Sequence, residues 1–225
     1  MQNYDPEKLL ISIHIPKCGG TSFTSCLEQF FGEHLHLHYP DDPEPGPPPE
    51  TAQRIRACVH GHFYHHRWAI GAMDYYPDSS QFITMLREPF EMALSGYYFR
   101  RRLGDLGDIT LHQHLDELLA TPQLFNYLGL PFDLWKASED DIQEWLDTRF
   151  LWIGLTERFQ ESVDLLAMKL DKASPDVAVD NVSPRDDGLA EYTQYQKKFR
   201  QRYRREYALY DYANRRLDWE LGQYD

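Results

Sequence analysis

The chain has 225 residues, 42% hydrophobic and 26% charged, enough to bury a core without disulfide or metal staples. Lys plus Arg number 23 against 36 for Asp plus Glu, and the resulting net charge of −13 repels polyanions, so a general nucleic-acid binder is excluded. No run reaches the ~18 apolar residues of a spanning helix, and Met1 to Pro6 has neither the basic nor the apolar region of a signal peptide, so a soluble, cytoplasmic protein without membrane contact is expected.

In chain order, Leu9 to Ile15 is short and rich in β-branched residues and runs at once into Pro16-Lys17-Cys18-Gly19-Gly20-Thr21-Ser22. It reads as a buried strand delivering a glycine turn. From Thr21 the apolar positions Phe23, Leu27, Phe30 and Phe31 keep helical spacing, with Thr21 or Ser22 expected to cap the free amides. The proline-rich, acidic stretch 39–50 reads as an exposed loop. A second strand is expected at 57–60, ending at Gly61-His62, and a third at 81–86, ending at Arg87-Glu88-Pro89, where Pro89 suits the first position of a helix through about Arg102. Helical patterns follow at 111–119 and 140–146, then a strand at 151–155 and a helix from Glu157 to about Leu170. In the last segment, about 190–221, Tyr195, Phe199, Tyr203, Tyr207 and Tyr210 step by three or four and form one helical face. Strands alternating with helices imply an α/β domain over 1–225, with a central parallel sheet flanked by helices. Cys18, Cys26 and Cys58 are an odd number without C-x-x-C spacing and are expected to be free thiols.

A strand entering P-K-C-G-G-T-S and then a helix gathers backbone amides, a helix N-terminus and a lysine around one small volume that attracts phosphate or sulfate. The glycines let the backbone approach the anion, Thr21 and Ser22 add hydroxyls, and Lys17 can reach an oxygen that becomes negative as its bond breaks. The ATP and GTP loop G-x-x-x-x-G-K-[ST] needs its lysine directly before the Ser or Thr, whereas here Gly20 precedes Thr21. A kinase of that type also wants an acidic strand end for magnesium, and the third strand ends in Arg87. Arg87 offers a bidentate fork to an anion, and Ser95 lies in the helix opened by Pro89, so the two can clamp one phosphate. The alternatives are an ion pair of Arg87 with Glu88 or Glu91, and a packing role for Ser95.

These residues carry a resemblance. H-I-P-K-C-G-G-T-S-F at 14–23, H-G-H at 60–62 and L-R-E-P-F-E-M-A-L-S-G-Y at 86–97 look like sulfotransferases that use 3′-phosphoadenosine 5′-phosphosulfate. The heparan sulfate 2-O- and 6-O-sulfotransferases and their bacterial, carbohydrate-type relatives are the branch it most resembles. G-L-T-E-R-F at 154–159, N-V-S-P-R at 181–185 and the C-terminal N-R-R-L-D-W-E-L are similar to later segments of that family. The resemblance implies a P-loop-NTPase-like sulfotransferase fold. It implies a donor 5′-phosphosulfate held by Lys17, Cys18, Gly19, Gly20, Thr21 and Ser22, a 3′-phosphate held by Arg87 and Ser95, Ser183 and Arg185 added to the cofactor-binding set, and His62 as base. Cys18 stands where the animal glycan enzymes usually have Thr or Ala, and no counterpart of their membrane anchor is expected, so acceptor identity does not carry over.

The chemistry agrees: a transferring sulfuryl group carries one negative charge, so Lys17, loop amides and hydroxyls can stabilise it without a metal. An acceptor hydroxyl loses its proton as it attacks, and histidine is the natural base. If Gly61 permits a turn, His62 points over the carboxyl edge of the sheet, with His60 in reserve as base or as the group orienting it. On a strand, His34, His36 and His38 share one face, a zinc or copper geometry whose plainer reading is a half-exposed strand. Tyr64, Trp68, Tyr75, Tyr76, Tyr97 and Tyr98 suit stacking on a sugar or aromatic alcohol, or core packing. Arg100, Arg101 and Arg102 complement a helix dipole, and the basic run 197–205 reads as a solvated helix face. The expected activity is metal-independent sulfuryl transfer to the hydroxyl of a glycan or small-molecule alcohol, leaving 3′,5′-bisphosphoadenosine. The alternatives are a small-molecule kinase and a non-catalytic nucleotide-binding module.

Overall fold

The computed structural model describes residues 2–39, 56–63, 71–121, 138–176 and 189–224. The elements are β1 (Leu10–Ile13), α1 (Gly20–Phe31), β2 (Leu35–His38), β3 (Cys58–Gly61), α2 (Ala72–Tyr75), β4 (Phe82–Leu86), α3 (Pro89–Leu103), α4 (Leu111–Ala120), α5 (Glu139–Arg149), β5 (Phe150–Leu155), α6 (Phe159–Leu170), α7 (Leu189–Arg202) and α8 (Arg204–Leu221). The strands form one five-stranded sheet in the order β2-β3-β1-β4-β5, and every neighbouring pair is parallel. This is an α/β fold with a central parallel sheet flanked by helices. No helix among the described residues is long and apolar enough to cross a membrane.

Burial follows strand position. β1, β3, β4 and β5 are buried along their whole length, as strands covered on both faces must be, and edge strand β2 is mostly part-exposed. A main core fills the space around the sheet and includes Phe23, Phe82, Phe150 and Trp152. A second core joins α3, α4, α7 and α8 through Phe90, Leu94, Leu115, Phe199, Tyr203 and Tyr207.

Several expectations are corrected. β1 stops at Ile13, so His14 and Ile15 already belong to the loop. The aromatic face from Tyr195 to Tyr210 is buried, but it spans two helices and not one: Tyr203 leaves helical geometry (φ −108°, ψ 39°) while its amide still bonds to Phe199 and its carbonyl to Tyr207. The residues before α6 form one 3-10 turn at Thr156–Arg158. Short α2 carried no periodic signal. His34 sits in a 3-10 turn, leaving only His36 and His38 on the strand, and among the described residues no group of three or more His, Cys, Asp or Glu can hold a metal ion. All three cysteines are free and buried. The loop expected at 39–50 (beyond Tyr39), Tyr64, Trp68, Ser183 and Arg185 lie outside the described residues.

Candidate active site

Because all strands run the same way, their carboxyl ends share one edge. The residues just past them are His14 after β1, Tyr39 near the end of β2, His62 after β3, Arg87 after β4 and Thr156 after β5. β1 lies between β3 and β4, and the chain leaves it first toward β2 and later crosses to β4. Such a reversal of winding opens a crevice at the strand ends, where ligands of open α/β sheets bind.

On one side of this edge the β1–α1 loop forms a cradle. Gly19 takes the left-handed conformation (φ 73°) at the N-cap of α1 and no side chain caps the helix, so the expected Thr21 or Ser22 cap is absent. The first helical bond runs from the Phe23 amide to the Gly19 carbonyl, which leaves the Gly20, Thr21 and Ser22 amides without intrahelical acceptors. Lys17 is also left-handed (φ 68°), a conformation that is costly for a residue with a Cβ. Arg87 supports it by donating from Nη1 to the Lys17 carbonyl at 3.1 Å. Its Nη2 lies 3.8 Å from Glu91 on α3, and its Nε is buried with no hydrogen-bond partner among the described residues. The Arg87–Glu91 pairing is thus one of the readings open from sequence. Ser95 is part-buried one turn beyond Glu91, and Arg87 makes no hydrogen bond to it.

The Lys17 ammonium rests 3.7 Å from the centre of the Phe99 ring, which the Arg102 guanidinium also approaches at 5.6 Å. Burial and then the charges of Arg102 and Arg87 lower the Lys17 pKa, so three cations crowd this spot. Thr21 is exposed and Ser22 part-buried. The Cys18 thiol is buried among apolar side chains and burial holds its pKa far above the ordinary range, so toward the cradle it offers backbone alone.

On the other side lies a cluster of imidazoles. The parallel register sets Ser12 beside His60 and Ile13 beside Gly61, and residues two apart share a face, so Ser12, His14, His60 and His62 all face one way. His60 is fully buried. Its Nδ1 is 2.8 Å from the Ser12 hydroxyl, and its Nε2 is 3.0 Å from the Thr24 hydroxyl of α1. Thr24 donates its proton to the Gly20 carbonyl at 2.8 Å, so it accepts from His60 Nε2, and Ser12 donates to Nδ1. Both ring nitrogens are engaged, and His60 ties the sheet to the first turn of the cradle helix.

His62 is part-buried at the edge, its amide anchored to the His38 carbonyl at 2.9 Å. His14 is a residue the sequence reading passed over. Its ring stacks on His60 at 5.3 Å, meets His62 at 4.6 Å, and bonds through Nδ1 to the Tyr39 hydroxyl at 2.9 Å. Gly20 is glycine for its sake: a Cβ there would stand 1.6 Å from His14 Nε2. Burial first, then His62 and Lys17, lower the His14 pKa to about 4; burial and then His38 lower that of His62 to about 4; burial, His14 and His62 lower that of His60 to about 3. All three rings are therefore neutral at pH 7.

Helix α8 braces this edge. Tyr207 donates to Glu88, the N-cap of α3, and Tyr210 to Glu157 at 3.0 Å, while a second Glu157 oxygen accepts the Glu88 amide at 3.0 Å. In the basic run, Arg200 pairs with Asp211 at 3.1 Å and Arg202 donates to the Leu119 and Thr121 carbonyls, while Lys197, Lys198 and Arg204 are exposed. Arg100, Arg101 and Arg102 occupy the last turn of α3, where they complement its dipole.

No family model and no curated protein matches the chain. Among solved structures, the chain is similar to mouse sulfotransferase SULT7A1 complexed with PAP, at 14% identity and a TM-score of 0.46, covering 86% of this chain and 66% of that one. It is also similar to a sulfotransferase from Alicyclobacillus acidocaldarius, at 16% identity and a TM-score of 0.40, covering 88% of this chain and 95% of that one. The chain thus spans just under two thirds of the mouse protein's length.

Proposed function

We propose that this protein transfers a sulfuryl group from 3′-phosphoadenosine 5′-phosphosulfate to the hydroxyl of a glycan or small-molecule alcohol, without a metal. One observation carries the reading: a neutral imidazole and an uncapped, cationic cradle stand at adjoining strand ends of the same sheet edge. The orphaned Nε of Arg87 and the open amides of Gly20, Thr21 and Ser22 fit a donor bearing two phosphate groups. In this scheme the 5′-phosphosulfate lies on the loop from Lys17 to Ser22, and Arg87 with Ser95 takes the 3′-phosphate.

His62 accepts the acceptor's proton as the acceptor oxygen bonds to sulfur. The bond from sulfur to the 5′-phosphate oxygen breaks, and its electron pair stays on that oxygen. Lys17, drawn from the Phe99 ring, stabilises the charge there. His60, with both nitrogens engaged, serves by holding the helix. Glu88 and Glu157, which follow β4 and β5 closely in the chain, are engaged by Tyr207, Tyr210 and backbone amides, which favours this reading over a magnesium-dependent kinase.

Two measurements test the proposal. Calorimetry should show 3′,5′-bisphosphoadenosine binding roughly ten- to a hundredfold tighter than adenosine monophosphate, the worth of a charged bidentate contact of about 1.5–3 kcal/mol. Labelled donor offered to a panel of glycans, phenols and aliphatic alcohols in EDTA should yield a sulfate ester. Equal affinity for the two nucleotides, or transfer that requires magnesium, defeats the assignment.

A further inference from the structure

We propose that His14 and Tyr39 form a positioning pair that clamps the His62 ring and couples it to the anion cradle. This rests on the reading of His62 as base. The His62 imidazole lies against the tilted His14 ring at 4.6 Å and the edge-on Tyr39 ring at 4.8 Å. The two walls are joined to each other by the bond of 2.9 Å between His14 Nδ1 and the Tyr39 hydroxyl. They come from different strands: His14 directly follows β1 and Tyr39 directly follows β2, so the clamp bridges β3, which carries His62 and lies between those two strands.

The same His14 reaches the cradle. Its Nε2 edge fills the space that a side chain at Gly20 would take, against the first residue of α1, and its amide donates to the Gly61 carbonyl at 2.8 Å. A shift of the α1 N-terminus as an anion settles on it therefore presses on His14, and His14 presses on His62. Contact alone links the three, because close-packed side chains transmit displacement. Proximity of base to transferred group is a large lever on rate, and His14 touches both the base and the first residue of the cradle helix.

The clamp also sets the solvent around the base. His14 beyond β1, His38 on β2 and Tyr39 beyond β2 face the base, and the two walls are backed in turn by Lys17, which acts on His14, and by His60 on β3, which meets both rings and bonds to the uncharged Thr24 of α1. A charge on His38 disfavours one on His62, Lys17 does the same for His14, and the two ring walls exclude water.

The test needs no acceptor. Ring-nitrogen NMR titrations of wild type, His14→Asn and Tyr39→Phe report the His62 midpoint directly. His14→Asn keeps an amide near the Tyr39 hydroxyl but opens the ring wall, and Tyr39→Phe keeps the edge contact but breaks the bond. The wild-type midpoint is expected at about 4. It should rise by about 1–2 units in His14→Asn and by less in Tyr39→Phe as water reaches the ring. Saturating 3′,5′-bisphosphoadenosine should then shift the His62 ring signals in wild type and at most weakly in His14→Asn. Midpoints unchanged in either variant, or an undiminished nucleotide response in His14→Asn, overturn the pair. Wild-type protein that does not bind the bisphosphate ends the sulfuryl-transfer reading, while the titration of the ligand-free protein still decides the clamp.

Discussion

The two sides of β1 handle charge in opposite ways. On the side of β4, the cradle keeps its polar groups open: uncapped helix amides, an ammonium resting on an aromatic face and a guanidinium nitrogen without a hydrogen-bond partner among the described residues. On the side of β3, three imidazoles are packed ring to ring and kept neutral by burial first and then by neighbouring groups, His38 in the case of His62. In a chain of net charge −13, Lys17, Arg87 and Arg102 concentrate positive charge in one place, and in the proposed reading that place takes the anion while the neutral cluster beside it accepts the proton. One strand end serves both because its loop turns toward the helix while its last outward residue, His14, turns toward the histidines.

The sharpest break of this contrast is His62→Ala. Turnover should drop roughly 10²–10⁴-fold, the usual worth of a general base, with 3′,5′-bisphosphoadenosine affinity unchanged in calorimetry because the cradle is intact. An equal loss of nucleotide affinity would mean that the two sides are one site and not two. Lys17→Ala attacks the other side and should lower kcat by about 10²–10³-fold with a smaller rise in KM, since its charge matters most as the bridging oxygen becomes negative. A raised KM with kcat intact would confine Lys17 to holding the ground state.

Much of this contrast was legible in the sequence, and the gaps have physical causes. The strands and the glycine loop announced themselves because a buried parallel strand is a short β-branched run and an anion loop needs Gly next to a helix start. Thr21 and Ser22 looked like caps because hydroxyls at a helix start usually are, but Gly19 in the left-handed conformation starts the helix without one. That is what leaves the amides open. His14 was missed because its neighbours Ile13 and Ile15 extend an apolar strand pattern through it. Two signals were available: the period of two from Ser12, and a second glycine at position 20, which the anion alone does not explain. Arg87's grip on the Lys17 carbonyl joins residues 70 apart, beyond the reach of any local pattern. The kink at Tyr203 is equally hidden, since its aromatic spacing continues unbroken.

The neutral cluster carries a cost in acid. Each of its histidines has a folded pKa below the ordinary value of 6.5, to about 4 for His14 and His62 and about 3 for His60, so between those values the unfolded chain binds more protons than the folded one. Stability should be level above about pH 6.5 and fall as pH drops toward 4. The fully buried His60 alone contributes up to about 1.4 kcal/mol per pH unit. Urea unfolding at pH 7 and pH 5 measures this, and His60→Gln should flatten the slope at some cost in stability at pH 7. A wild-type midpoint that does not move between the two pH values would show that the imidazoles protonate freely and that the cluster is no neutral region.

The smallest effect tests the cradle's own balance. Glu91 stands 3.8 Å from Arg87, with both side chains mostly buried, and under the proposed reading it competes with the 3′-phosphate for the guanidinium. A nucleotide bearing that phosphate must displace Glu91 and then sit beside its negative charge. Glu91→Gln removes the competition and the repulsion while its amide still donates to Glu88 at the N-cap of α3. Affinity for 3′,5′-bisphosphoadenosine should rise about two- to fivefold, the scale of a part-exposed ion pair. The gain should shrink as salt is raised from 50 to 500 mM, because screening weakens the repulsion that the substitution removes. Adenosine monophosphate, lacking the 3′ group, should bind both proteins alike. If the monophosphate gains as much as the bisphosphate, Glu91 acts on the whole cradle and Arg87 does not single out the 3′-phosphate; if both bind more weakly, Glu91 is needed to hold Arg87 in place.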